Sequence, residues 1–342
     1  MTQGDVSQRV TIETVAAAAQ VSRQTVTNAL RHPERVRPDT LTRVRAEIQR
    51  LGYRPSLAAQ SLQSQRSGAI GIELNALGPS YHNATMTPFL AALSVESVRH
   101  HMHMVTFGSA GDTPTLDAYE QMRQSQVVDA FVIADTHRGD PRPDWLSARG
   151  IPFASFGRVW DDPTFTRWVD VDGHDGTALA VEHCRAAGYQ RIGYLGWPEG
   201  DSAVADGRRE GWLHASRRNR GYLLGPQAST PDELASATAA AEPIVAELGR
   251  SGAIVCASDV LAVGALHAAQ RAGLRPGTDI GIVGFDDSEL ARMHGLSSIA
   301  QPMSAISSHI LRLVHESLSG QQPGAEGVLL RPDLTIRASS TP

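Results

Sequence analysis

The sequence predicts a small all-α front end built on a helix-turn-helix, followed by an α/β body of two doubly wound, parallel-sheet lobes. Three observations predict this. Residues 10–62 hold only short helical patterns. From Ala69 onward, short apolar runs alternate with longer amphipathic segments, the signature of a parallel sheet covered by helices. Near Asp172 the alternation starts again, which asks for a second sheet.

In the front end, Thr11-Ile12-Glu13-Thr14-Val15-Ala16-Ala17-Ala18-Ala19 reads as a compact alanine-rich helix with Thr11 as its cap. After a tight turn, Ser22 caps a second helix, and Val21, Val26 and Leu30 give it one apolar stripe. Its opposite face carries Arg23, Gln24, Thr27 and Asn28. Arginine pairs with guanine, and Gln and Asn bond adenine bidentately, so this face suits base edges in a major groove. A third helix opens at Arg37-Pro38-Asp39-Thr40, with Pro and an acid where a helix start favours them. Leu41, Val44, Ile48 and Leu51 are its buried stripe, and Gly52 ends it. Ser56-Leu57-Ala58-Ala59-Gln60-Ser61-Leu62 is too short for a helix stable in water without a partner. It is expected to form on DNA, with Leu62 wedged between base steps in the minor groove.

On these residues the chain resembles the LacI-type family of bacterial transcription regulators, which includes the lactose and galactose repressors. The matching residues are Val21-Ser22, Thr25-Val26, Gly52-Tyr53-x-Pro55 and Leu57-Ala58-Ala59-x-x-Leu62. The family usually has Ser-Arg where Thr27-Asn28 stand, which implies different operator bases. It usually has Ser or Thr where Arg37 stands, which implies a weaker start to the third helix. The candidate DNA-contacting set is Thr11, Ser22, Arg23, Gln24, Thr25, Thr27, Asn28, Arg31, Tyr53, Ser56, Leu57, Ala59 and Leu62. The expected domains are a headpiece at 1–55, a hinge helix and linker at 56–67, and an effector-binding and dimerisation core at 68–342.

Charge supports that division. The whole chain carries −5, but residues 1–66 hold ten arginines against five acids, or +5, which leaves −10 for the rest. A basic head on an acidic body concentrates phosphate attraction at the helix-turn-helix. The chain has no lysine, so every fixed side-chain cation is an arginine. No apolar run approaches the length of about 18 residues that a membrane helix needs. Met1-Thr2-Gln3-Gly4-Asp5 lacks the basic-then-apolar pattern of an export signal, so a cytoplasmic protein is expected. Cys184 and Cys256 sit in apolar patterns and read as buried thiols.

Along the body, strands are expected at 69–74, 104–107, 130–134, 152–156, 191–195, 253–256 and 280–283, with short extended pieces near 298–300, 328–330 and 334–337. Helices are expected at 87–100, opened by Thr87-Pro88, and at 113–125, 144–148, 172–187, 202–220, 231–248, 259–272 and 303–318. Two such sheets place a ligand in the cleft at their strands' carboxyl ends. Periodicity does not say which late elements return to the first sheet. The resemblance implies a periplasmic-binding-protein-like core, with 68–157 and 288–320 in the lobe next to DNA and 158–287 and 321–342 in the far lobe.

The candidate effector-binding residues are Asn75, Asp135, Trp168, Asp175, Arg208, Ser258 and Asp286. Arg208 opens Arg208-Arg209-Glu210-Gly211-Trp212, similar to the family's R-x-x-G-aromatic motif, and a guanidinium fork suits vicinal hydroxyls or a carboxylate. Gly284-Phe285-Asp286-Asp287 is similar to the family's G-[FY]-D-D, with Asp286 expected in the cleft and Asp287 in a cap. Asp175, with Asp172 as its alternative, matches a family position facing the effector. Ser258-Asp259 stands where the family has Asn-Asp, and Ser is the shorter side chain. Asn75 and Asp135 follow strands. Trp168 and Trp160 could stack on a sugar ring, although core packing is the commoner fate of a Trp. Gln301-Pro302 matches a family pair that is more often structural than ligating. His100-His101-Met102-His103-Met104 reads as a solvated helix end, because alternating side chains rarely converge on a metal.

The expected function is a homodimeric regulator, a repressor, that binds a palindromic operator and is controlled by a small effector, a sugar. No cofactor and no membrane partner are expected. The alternative keeps the architecture but senses a purine or nucleoside as corepressor. A solute-binding protein would need an export signal and no basic headpiece. A carbohydrate-active enzyme would need two carboxylates committed to a cleft, and no motif supplies them.

Overall fold

Thr11 starts the first helix by a reciprocal contact: its hydroxyl accepts the Thr14 N–H, and the Thr14 hydroxyl accepts the Thr11 N–H. That box satisfies donors a helix start leaves orphaned. The helix, α1, spans Ile12–Ala18. Ser22 Oγ accepts from the Thr25 N–H at the start of α2 (Arg23–Arg31). Arg37 begins α3 (Pro38–Leu51) with no side-chain cap, and Gly52 ends it at φ 63°, which a residue without Cβ adopts freely. Val15, Ala16, Ala19, Val26, Ala29 and Val44 form the core of this unit. The expected α2 stripe needs a correction, because Ala29 is buried while Leu30 is 39 % exposed. Both lie within reach of the stripe, and the smaller residue is the one turned inward.

The computed structural model describes residues 10–54, 66–74, 83–108, 116–160, 162, 164–200, 202–218, 224–321, 324 and 326–341. The expectations for Ser56, Leu57, Ala59, Leu62 and Asn75, and for the Thr113-Pro114 helix start, lie outside these residues. The chain divides into two compact units, Met1–Ser67 and Gly68–Pro342.

The second unit holds two six-stranded sheets. The first is parallel throughout and contains β1 (Ala69–Leu74), β2 (His103–Gly108), β3 (Ala130–Ile133), β4 (Phe153–Phe156), β5 (Trp168–Val171) and β11 (Val328–Leu330), in the order β11-β5-β4-β3-β1-β2. One face packs Ile70, Ile72, Val132 and Ala154 against Phe89 and Leu93 of α4 (Asn83–Arg99) and Ile306 and Ile310 of α12 (Met303–Leu318). The other packs Phe131, Ile133 and Phe153 against Tyr119 of α5 (Leu116–Gln124) and Leu146 of α6 (Pro141–Ala148). Strand side chains alternate between faces, so a buried two-sided sheet needs this near-continuous apolar run.

The second sheet contains β6 (Arg191–Gly196), β7 (Leu224–Ser229), β8 (Gly252–Cys256), β9 (Ile280–Asp286), β10 (Ser297–Ala300) and β12 (Asp333–Thr335), in the order β12-β10-β9-β8-β6-β7, with β12 antiparallel to β10. Its helices are α7 (Gly173–Ala186), α8 (Ala203–Arg217), α9 (Leu234–Leu248), α10 (Asp259–Arg271) and the short α11 (Glu289–Met293).

The chain crosses between the sheets after β5, after β10 and after β11. The expected lobe boundaries are corrected accordingly. Trp168–Val171 and Val328–Leu330 belong to the first sheet, not the far lobe, and Ser297–Ala300 pairs with β9 in the second. Pairing partners, not composition, decide which sheet such short strands join. Two strands were absent from the sequence reading. Trp168–Val171 is only four residues long, and Leu224–Ser229 is an edge strand carrying Gly225 and Pro226. The helix expected from Thr87 starts at Asn83, with Pro88 inside it. Ser288, not Asp287, caps the helix after β9: its Oγ accepts from the Ala291 N–H.

Trp212 anchors α8 in the second lobe. It is fully buried, its Nε1–H donates to the Ile192 carbonyl at 3.0 Å, and its ring stacks on Tyr194 at 5.4 Å. Trp212→Ala should lower the unfolding free energy of the body by about 3–5 kcal/mol, the usual cost of emptying a large aromatic site. Urea denaturation checks this, and a loss under about 1 kcal/mol would contradict the assigned packing.

Candidate functional site

The polar cluster of the second lobe gathers at the carboxyl ends of its strands. Arg208 enters it from α8 and is 6 % exposed. Its Nη1 donates to the Ala257 carbonyl at 2.5 Å, just past β8, and its Nη2 lies 3.4 Å from Asp286 Oδ1 at the end of β9. The guanidinium lies 3.6 Å from the Phe285 ring centroid and 5.2 Å from that of Trp197. Gln301, on the crossing after β10, donates its Nε2–H to the same Asp286 oxygen at 2.7 Å. Ser258 caps α10 by accepting the Leu261 N–H, and it donates its hydroxyl proton to Asp232 Oδ1 at 2.5 Å. Burial raises the Asp232 carboxyl above its ordinary range, against the lowering effect of the Ser258 hydrogen bond.

Behind this wall lies Asp259, 1 % exposed. Its Oδ2 accepts the Ser288 N–H and hydroxyl, each at 2.7 Å, and its Oδ1 accepts the Ser298 hydroxyl at 2.6 Å. Burial, and then the charge of Asp286, push it up to about 7. Asp286 and Asp287 have φ of 105° and 48°, a bend that ends β9. The Asp287 N–H donates to Ser298 Oγ, and its carboxylate pairs with Arg337 at 2.7 Å, so Asp287 holds the bend where a cap was expected.

Of the sequence-predicted effector residues, the structure brings Arg208, Asp286 and Ser258 together. Among the described residues no hydrogen bond or ion pair ties Asp135, Trp168 or Asp175 to them. Asp135 follows β3 at φ 55°, and its carbonyl accepts from Arg142 Nη2 at 3.0 Å. Trp168 starts β5 half-buried, with the Arg158 guanidinium 5.4 Å from its ring and 3.8 Å from that of Trp160. Asp172 caps α7 by accepting the Asp175 N–H, while the Asp175 carboxylate lies 3.5 Å from His174 and 3.9 Å from Arg331. Asp172, His174 and Asp175 bring ligand-type atoms within 4.8 Å of one another, but the cap and the Arg331 pair already engage both carboxylates. Across the cleft, Arg138 of the first lobe stands 3.6 Å from Asp206 of α8.

The sequence reading missed Asp232 and Trp197 and undervalued Gln301. Only its Gln-Pro motif marked Gln301, and nothing local marked the other two. It also missed the buried charge cluster of the first lobe. Arg142, 1 % exposed, bonds Asp140 through Nε and Nη2, Glu73 through Nη1, and the Ala134 and Asp135 carbonyls. Tyr119 donates to Glu73 at 3.0 Å.

On the headpiece, Arg23 and Gln24 are exposed, and Thr27 and Asn28 are half-buried beside them. Arg23 pairs with Glu13 at 3.1 Å, Gln24 donates to Asn28 Oδ1 at 3.2 Å, and the Thr27 hydroxyl bonds back to the Arg23 carbonyl. The Arg23 pair is solvent-exposed, so releasing it costs about 0–1 kcal/mol. Thr11, Ser22 and Thr25 lie at the helix starts, where Ser22 and Thr25 share a hydroxyl contact at 2.9 Å. Tyr53 packs half-buried on the headpiece core, and burial raises its phenol.

Comparison with known proteins gives two family matches. Residues 11–56 match bacterial regulatory proteins of the lacI family, and residues 181–340 match a periplasmic binding protein-like domain. A regulatory protein of the LacI family from Chloroflexus aggregans is 31 % identical over 80 % of this chain and 98 % of its own, with a TM-score of 0.69. The lac repressor dimer bound to operator and the anti-inducer ONPF is 25 % identical over 98 % of this chain and all of its own, with a TM-score of 0.76. The HTH-type transcriptional regulator CelR of Thermobifida fusca is 28 % identical over 97 % of this chain and 98 % of its own. No described helix is long and apolar enough to cross a membrane.

Asp259 gives the site a pH signature. Its folded pKa lies above the unfolded value of about 4, so on raising pH the unfolded chain loses this proton first. Its contribution is fully present below about pH 4, declines as pH rises, and is lost by about pH 7. Asp259→Asn should remove that decline, read from urea unfolding at pH 4.5, 6 and 8. Parallel pH profiles for parent and variant would assign the decline elsewhere.

Proposed function

The chain belongs to the lacI family of bacterial regulatory proteins, and we propose that it is a homodimeric repressor whose grip on a palindromic operator is set by a small sugar in the cleft between its lobes. The observation that carries this is the pairing, in one chain, of a helix-turn-helix with an exposed Arg23–Gln24 face and a second unit whose cleft gathers Arg208, Asp286 and Gln301. The first is chemistry for base edges and the second is chemistry for vicinal hydroxyls.

Helix α2 lies in the major groove of each half-site, and Leu62 of each hinge segment wedges into the minor groove. Ligand-driven closure of the lobes changes the separation of the two hinge segments, so that they can or cannot sit together on DNA. The dimer is supported by Val95 and Val98, 58 % and 70 % exposed on α4, an apolar strip suited to a second copy. The protein acts in the cytoplasm, where its operator is.

Selection of duplexes from a random pool by the purified protein should enrich inverted repeats. Enrichment of no repeat, with or without sugars, would sink the reading. Leu62→Ala should lower specific operator affinity at least tenfold and change nonspecific affinity little. Equal loss of both would refute the wedge. Arg208→Ala should shift the midpoint of the ligand response at least tenfold, and a response curve matching the parent's would remove Arg208 from the site.

A further inference from the structure

We propose that Asp232, held beside Arg208 by Ser258, is the specificity-determining residue of the cleft and restricts it to uncharged, hydroxyl-bearing ligands. The inference rests on the ligand-gated reading above and concerns which ligands that gate admits.

The argument starts from what Arg208 has left to offer. A carboxylate or phosphate is held best by two parallel N–H groups of one guanidinium fork. Here Nη1 is committed to the Ala257 carbonyl and Nη2 to Asp286, while Phe285 covers the plane. What remains is Nε, buried and, among the described residues, without a hydrogen-bond partner. Trp197, whose ring lies 5.2 Å from the guanidinium, has its indole N–H engaged by Asp232. Leaving the Nε–H unmade is costly in a low-dielectric site, so it calls for an acceptor from the ligand.

The flanking groups decide what kind of acceptor. Asp286 is already paired with the Arg208 cation at 3.4 Å. Asp232 adds a second carboxyl within electrostatic reach of Asp286, Arg208 and Trp197. Burial pushes its proton affinity up and Asp286 pushes it further, against the hydrogen bonds from Ser258 and Trp197 and the charge of Arg208. Within this cluster an incoming anion would meet two acids around one cation already matched by Asp286. A hydroxyl meets no such penalty. It accepts from Arg208 Nε–H and donates its own proton to a carboxylate oxygen. The same geometry admits sugars, polyols and nucleosides, and rejects sugar phosphates, sugar acids and nucleotides.

Isothermal titration of the full chain against matched probes tests this. The uncharged panel is glucose, galactose, cellobiose, maltose, lactose, ribitol, cytidine and adenosine. The anionic panel is glucuronate, glucose 6-phosphate, lactobionate, cytidine monophosphate and adenosine monophosphate. At least one uncharged probe should bind at least a hundredfold more tightly than its anionic counterpart. Asp232→Asn, close to isosteric, should cut that ratio at least tenfold, a readout a merely structural role would not move. An anionic probe binding as tightly as its partner overturns the proposal, as does an Asn variant with the parent's ratio. Should the variant fail to fold, the parent's ratio alone decides. Silence from both panels also overturns it, and preference for an inverted-repeat duplex would then keep the regulator reading standing.

Discussion

Arg208 is fixed to three elements at once, and the polar wall of the second lobe depends on that fixing. Its stem leaves α8, its Nη1 closes on the exit of β8, its Nη2 reaches the end of β9, and its plane rests on Phe285. Asp286, the acid it meets, also receives Gln301 from the crossing that leads to the first lobe. A ligand that bonded Asp286 would therefore act on a residue hydrogen-bonded to the crossing between the lobes. In a buried setting such contacts are worth more than in water, because little solvent screens them. Local recognition can in this way bias the separation of the lobes, which is the element a regulator needs to control.

Both lobes use one further device. In each, a non-glycine Asp with positive φ ends a strand at the cleft: Asp135 after β3 and Asp286 at the end of β9. Such conformations are costly and persist where the surroundings over-determine them. Arg142 does this in the first lobe by holding the Asp135 carbonyl together with Asp140 and Glu73. Arg208, Gln301 and the Asp287–Arg337 pair do it in the second. Buried ion pairs of this sort are weak evidence for stability because desolvation offsets attraction.

Much of this was legible in the residues. Helix starts at Thr11 and Ser22, the stop at Gly52, the alternation of strands and helices, and the motifs around Arg208 and Asp286 are local signals, and local signals survive without tertiary information. What was not legible depends on partners distant in sequence. Trp168–Val171 and Leu224–Ser229 are too short or too rich in Gly and Pro to announce themselves, and β11 joins the first sheet only because β5 offers it an edge. Asp232 enters the site through Ser258, and Arg142 through Glu73, pairs that no periodicity connects. Leu30 lost its place in the core to Ala29 for a similar reason, since packing between helices chose the smaller neighbour.

The distribution of arginine then separates the two tasks physically. In the headpiece, Arg23 and Arg50 have side chains 68 % and 63 % exposed, and their ion pairs are the kind that salt screens. In the body, Arg142 and Arg208 are 1 % and 6 % exposed, with partners at contact distance. Ionic strength acts strongly on contacts made with phosphates and weakly on contacts made inside a closed wall. A change in salt would thus alter how tightly the front end holds nucleic acid while leaving the buried contacts of the wall largely as they were. An acidic body adds to this division, since its surplus negative charge makes it a poorer partner for phosphate than the basic front end. The absence of lysine makes the same residue type serve both ends.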